Sequence, residues 1–174
     1  MAQGSYADIA KMYAEKVVAG EILACKWVKA ACQRQLSDLK KYKGKASPYR
    51  FNPKLTSKSG KTYYPADNLC AFIERLPHVK GPLAGEPITL EPWQVFILST
   101  VFGWVKADGT RRFRRSYIEV PRGNAKSTLS SAVGLYMLAA DGEGGAHAPL
   151  SYNGNPMPMQ GEKLGGALTE AEIL

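Results

Sequence analysis

The stretch RRFRRSYIEVPRGNAKSTLSSAVGLYMLAADG (residues 111–142) sets Lys126, Ser127 and Thr128 at the head of a small-residue run. SYIEV (116–120) is short, β-branched and aromatic, and predicts a buried strand. PRGN (121–124) reads as loop. AKSTLSSAVGLYMLAA (125–140) predicts a helix closed by Asp141 and Gly142. A strand, a glycine-containing loop, Lys-Ser and a helix form the order that a phosphate-binding loop requires. Such a loop turns backbone N–H groups inward, places a lysine and a hydroxyl beside them, and has the positive end of a helix behind it. The simple pattern G-x-x-x-x-G-K-[ST] is not met, because its glycine positions hold Val120 and Ala125. Gly123 remains, and Ala125 keeps a small residue where backbone must approach phosphate closely. The competing reading is a strand-turn-helix corner with an exposed lysine.

Upstream, residues 5–40 read as helical, with Gly20 as the break and Ser5 or Asp8 as the cap. Ile22, Cys25, Val28, Ala31, Cys32 and Leu36 fall near one stripe of that reading. Residues 41–67 are rich in Lys, Gly, Ser, Pro and Tyr and read as an extended basic connection. Tyr42, Tyr49, Phe51, Tyr63 and Tyr64 either stack on bases or pin this connection to the surface, and pinning is the commoner role for such aromatics. PADNLCAFIERLPHV resumes helical spacing through Leu69, Phe72, Ile73 and Leu76, and Pro77 ends it. A second apolar helix is predicted from Pro92, and ADGT (107–110) reads as a hairpin-type turn before RRFRR. Residues 147–174 show no period and read as irregular or disordered, with LTEAEIL at most a frayed turn.

Charge is distributed unevenly over the 174 residues, whose net is +8. Residues 1–64 carry 13 Lys/Arg against 4 Asp/Glu, while residues 116–174 carry 3 against 6. A basic front half suits a polyanion partner, of which nucleic acid is the commonest, or else is a solvated lysine-rich face. Cys25, Cys32 and Cys70 have no metal-type spacing and read as small apolar residues in a reducing compartment. No run approaches 18 apolar residues and the polar N-terminus is unlike a signal peptide, so no membrane association is expected.

LAGEPITLEPWQVFILSTVFGW followed by YIEVPRGNAKST resembles the tailed-phage terminase large subunits, the motors of viral DNA packaging. The resemblance covers roughly residues 65–146. The family's variant Walker loop is matched by Pro121, Arg122, Gly123, Asn124, Ala125, Lys126 and Ser127. Its Trp-Gln pair is matched by Trp93 and Gln94. The resemblance implies ATP and Mg²⁺ as cofactors. It implies that Lys126 contacts the β- and γ-phosphates, that Ser127 holds Mg²⁺, and that Thr128 offers a second hydroxyl. Gln94 would read the adenine edge beside Trp93, and Arg122 would stabilise charge at the γ-phosphate or else pair with Glu119 or Asp141.

The expected fold class is α/β: a basic, mostly helical arm and linker (1–64), the start of a P-loop ATPase (65–146) and an irregular tail (147–174). A packaging motor also needs an apolar strand ending in an acid, plus a nuclease domain. Neither is seen in residues 129–174, so a truncated form with little turnover is expected: a prophage remnant, a split-gene piece, an expression fragment or a modulator. The implied setting is the bacterial host cytoplasm, with double-stranded DNA, a small terminase subunit, the portal or full-length terminase as partners. The alternative is a non-enzymatic module that binds DNA or a terminase through residues 1–64 and RRFRR. A DEAD-type helicase fragment fits the Asn124-Ala125 pair poorly.

Overall fold

Ser5 and Asp8 open the first helix together. The Asp8 amide donates to Ser5 Oγ (3.3 Å) and the Ser5 amide to Asp8 Oδ2 (3.2 Å), a reciprocal box that satisfies two orphan donors. The computed structural model describes residues 5–44, 46–57, 60–79 and 81–141, and the backbone of 151–152 and 155–156. Helix α1 runs Tyr6–Ala19 and ends where Gly20 adopts φ 85°, a left-handed conformation that glycine takes without strain. Helix α2 runs Lys26–Lys41. Its late start corrects the predicted stripe: Ile22 precedes the helix and Cys25, its N-cap, is exposed. The buried side is Cys32 and Gln35.

The basic connection is more ordered than its composition implies. Strand β1 (Tyr49–Phe51) is followed by β2 (Leu55–Thr56) and β3 (Thr62–Tyr63), which pair antiparallel with each other. Helix α3 (Pro65–Ile73) follows, then α4 (Pro92–Gly103), with proline in the first turn of each. Strand β4 (Trp104–Lys106) returns to β1 with Phe51 opposite Trp104 and Tyr49 opposite Lys106. Beyond it the Lys106 amide bonds Thr110 O (2.8 Å) across a turn in which Gly109 has φ 84°. ADGT is therefore the turn its sequence indicates. The Asp108 carboxyl is held below its ordinary range, first by the Thr110 hydroxyl and then by the Thr110 amide.

The chain divides into two compact units, Met1–Phe113 and Arg114–Leu174. In the first, α4 is apolar on every side, and such a helix is stable only when enclosed. It packs on α1 and α3, while α2 lies against α1. Ala10, Ala14 and Val17 of α1 meet a core that includes Leu69, Ile73, Val95, Leu98 and Phe102. Tyr13 and Phe96 bring their ring centroids within 5.4 Å. Burying each large side chain contributes roughly 1.5–3 kcal/mol. Gly103 ends α4 because nothing larger fits: a Cβ there would lie 2.9 Å from the Phe51 ring and 3.2 Å from Ala66 Cβ.

One side chain ties the basic connection to the helices. Helix α3 has no side-chain cap from its own N-cap residue, Tyr64. Asn52 supplies one from the preceding strand region. Its Oδ1 accepts from the Ala66 amide (2.9 Å), its Nδ2 donates to Asp67 Oδ2 (2.8 Å), and its own amide donates to Gly103 O (2.7 Å). Asn52 sits at φ 47°, which asparagine tolerates better than alanine. Asn52→Ala is expected to lower stability by about 1–3 kcal/mol through the lost cap and the strained backbone, read as a lower urea midpoint. Glu74 is a second tie, accepting from the Tyr6 hydroxyl and from the Leu90 amide (3.0 Å). Burial first, and this bond second, hold the Tyr6 phenol well above its ordinary pKa.

Cys32 and Cys70 are enclosed, and burial pushes their thiols from an ordinary 9.0 to about 11 and about 12. Only the unfolded chain sheds these protons readily. Their contribution to stability is therefore complete below pH 9 and is lost as pH climbs through 11 and 12. An aromatic disulfide reagent at neutral pH is expected to titrate one thiol, Cys25, in the native chain and all three after denaturation. Rapid release from all three in the native state would show that the packing of α2 and α3 does not form as described.

In the second unit, helix α5 spans Lys126–Ala139 and buries Ala132, Val133, Gly134 and Tyr136. Strand β5 (Ser151–Tyr152) pairs antiparallel with β6 (Asn155–Pro156) inside the stretch read as irregular. LTEAEIL and the rest of that stretch lie outside the described residues. The mixture of helices and small sheets is compatible with an α/β class.

Candidate phosphate-binding site

The loop before α5 departs from the expected geometry in one respect and meets it in another. Of the predicted strand 116–120 only Ser116 forms a β-bridge; residues 117–120 are not strand, Ile118 and Val120 are half-buried, and Tyr117 is 72% exposed. A parallel strand needs neighbours to take its backbone groups and cover its faces, and none of the described residues pairs with 117–120. Part of that demand is met from within the loop. Lys126 Nζ donates to Val120 O (2.9 Å) and Pro121 O (3.1 Å), and Asn124 Nδ2 donates to Pro121 O (3.1 Å). The Tyr117 hydroxyl donates to Glu119 Oε2 (3.1 Å), which keeps its phenol protonated above the ordinary range.

The turn itself is built from two left-handed residues, Gly123 at φ 91° and Ala125 at φ 54°. Ala125 is the N-cap of α5 and offers no side-chain hydrogen bond. The leading N–H groups of a helix lack intrahelical partners, and here no cap side chain takes one. Pro121 through Ser127 are exposed, and Thr128 is half-buried. Lys126, Ser127 and Thr128 thus gather at an open helix N-terminus, with Arg122 exposed on the loop. This arrangement favours an anion, because backbone donors, the helix dipole and the lysine all present positive charge.

The other sequence-named residues lie in the first unit. Trp93 is half-buried and Gln94 buried in the first turn of α4. Gln94 Oε1 accepts from the Glu91 amide (2.9 Å), the reciprocal half of a capping box. That bond accounts for a buried glutamine without a ligand and leaves its amide protons and a second lone pair for other partners.

RRFRR is divided by the fold. Arg112 turns inward: its guanidinium meets Asp38 Oδ2 at 2.8 Å and lies 4.6–5.2 Å from the rings of Tyr49, Phe113, Tyr42 and Trp104. Arg111 lies 4.7 Å over Phe102. Only Arg114 and Arg115 are exposed, so the run presents half the charge that its letters suggest. Tyr42, Tyr49 and Phe51 are in the same aromatic packing, which agrees with the pinning role rather than base stacking.

The comparisons with known families bear on the stretch that holds α4, the loop and α5. Residues 92–150 match the family model of the terminase large subunit, ATPase domain. No curated protein and no solved structure matches the chain. The terminase likeness begins at Pro92, where α4 starts, and so takes in both Trp93-Gln94 and the loop. Sequence reasoning missed the carbonyl oxygens of Val120 and Pro121 as partners of the terminase-like loop's lysine. Backbone atoms leave no trace in residue letters.

Proposed function

We propose that residues 121–128 hold the phosphates of ATP, and that the chain contributes nucleotide binding to the packaging of double-stranded viral DNA. The observation that carries this reading is the uncapped N-terminus of α5, entered through left-handed Ala125, with Lys126 and two hydroxyl side chains beside it. Lys126 is the residue for the β- and γ-phosphates, Ser127 for Mg²⁺, and Thr128 for a second hydroxyl contact. Pro121, Gly123, Asn124 and Ala125 shape the turn. Arg122 is proposed to meet charge at the γ-phosphate. Trp93 and Gln94 are the residues for the base. Nucleotide and Mg²⁺, when bound, supply the transferable phosphoryl group and the cation that neutralises it. What these residues do is position, through the helix N–H donors and the Lys126 ammonium.

The small terminase subunit and the portal are the partners that the likeness suggests, and the bacterial cytoplasm is the proposed setting. Among the described residues no helix is long and apolar enough to cross a membrane. Calorimetric titration of Mg-ATP into the chain and into Lys126→Ala tests the reading. A charge-assisted hydrogen bond contributes about 1.5–3 kcal/mol, so the variant is expected to bind about ten- to a hundredfold more weakly. Equal binding by both would sink the assignment of the loop.

A further inference from the structure

The first unit holds a cavity of about 900 Å³ remote in sequence from the phosphate loop, between α1, the C-terminal half of α2 and strand β1. Leu36, Leu39, Phe51 and Pro53 give it an apolar floor. Four cations, Lys11, Lys40, Lys43 and Arg50, stand around it against one carboxylate, Glu15. That carboxylate is already committed to Lys11 at 3.7 Å. An apolar trough inside a cationic rim is complementary to a ligand of the inverse pattern, with apolar anchors flanked by acids.

We propose that this groove docks an acidic amphipathic peptide segment of a partner protein, with its apolar side chains on Leu36, Leu39 and Pro53 and its carboxylates toward Lys40 and Lys43. Recognition of this kind uses anchors one helical turn apart, while the rim charges set orientation and encounter rate. Nucleic acid suits the groove less well. A phosphate backbone gains nothing from an aliphatic floor, and the aromatic rings nearest to it are engaged already. Phe51 and Tyr42 lie 5.2 Å and 5.8 Å from Trp104, centroid to centroid. The proposal does not depend on the nucleotide reading, since no groove residue belongs to the loop.

The test uses fluorescence anisotropy of the full chain against a labelled helical peptide with leucines at i, i+3, i+4 and i+7 and glutamates between. Two comparison ligands complete it: the same peptide with serines for leucines, and a labelled DNA duplex. Lys40 and Lys43 are exposed, so Lys40→Glu with Lys43→Glu leaves the core intact, and an unchanged far-ultraviolet dichroism spectrum verifies this. The leucine peptide is expected to bind at least about tenfold more weakly to the double variant, and the serine peptide to bind the parent about tenfold more weakly. Equal binding of the leucine and serine peptides, or their displacement by the duplex at equal charge, would make the rim a general polyanion surface and overturn the proposal. Absence of peptide binding, or binding that the double variant leaves unchanged, would overturn it as well.

Discussion

Trp104→Ala is expected to destabilise the first unit by about 3–5 kcal/mol, a large fraction of the roughly 5–15 kcal/mol that keeps a domain folded. The side chain is 1% exposed, among the largest enclosed in the molecule, and it joins elements far apart in sequence. Its ring packs on Phe51 and Tyr42, and its Nε1 donates to Gln35 Oε1 at 2.7 Å. Alanine therefore opens a cavity at the β1–β4 seam and also leaves the buried Gln35 acceptor unpaired. Trp104→Phe separates the two contributions, because it keeps most of the volume and removes only the donor. Its expected cost is about 1–3 kcal/mol, the desolvation penalty of one unsatisfied buried group. Urea denaturation followed by circular dichroism measures both. A Trp104→Ala loss below that of Trp104→Phe would contradict this account of the core.

Arg112→Ala is expected to cost about 3–5 kcal/mol, because it strands a carboxylate in a largely enclosed site. The Arg112 and Asp38 side chains are only 17% and 13% exposed, and their 2.8 Å contact ties the segment after β4 to α2. The aromatic rings around the guanidinium add stacking that an ammonium reproduces poorly, so Arg112→Lys is expected to recover less than half of the loss. Arg112→Ala combined with Asp38→Ala removes both charges and is expected to cost less than the two single changes added together. Additive losses would show that the pair is not coupled. A negligible effect of Arg112→Ala would return the arginine to the surface role that its basic neighbours suggest.

What the residue letters disclosed depended on how local each signal is. A cap at Ser5 or Asp8, the glycine end of α1, the proline start of α4 and the ADGT turn are governed by neighbours within a few positions, and all were legible. Strands β1 and β4 were not, because three residues carry no period and their pairing spans more than fifty positions of chain. Arg112 was read with its neighbours as surface charge, since nothing in RRFRR records that Asp38 and four rings await one of its members. SYIEV showed the opposite failure: its β-branched and aromatic letters favour a strand, but strands form by pairing, and none of the described residues pairs with 117–120. The candidate loop 121–128 was legible as a motif; the lysine's backbone partners were not.

Those partners change what affinity at the loop measures. Lys126 is not a waiting charge in an empty cup, since two carbonyl dipoles already solvate it. The ammonium has three N–H donors, so one is left for an anion, and an anion that takes more than one must displace a carbonyl. A ligand that also engages the helix N–H groups would have a second source of free energy with which to displace a carbonyl, and would be favoured by the number of simultaneous contacts rather than by charge alone.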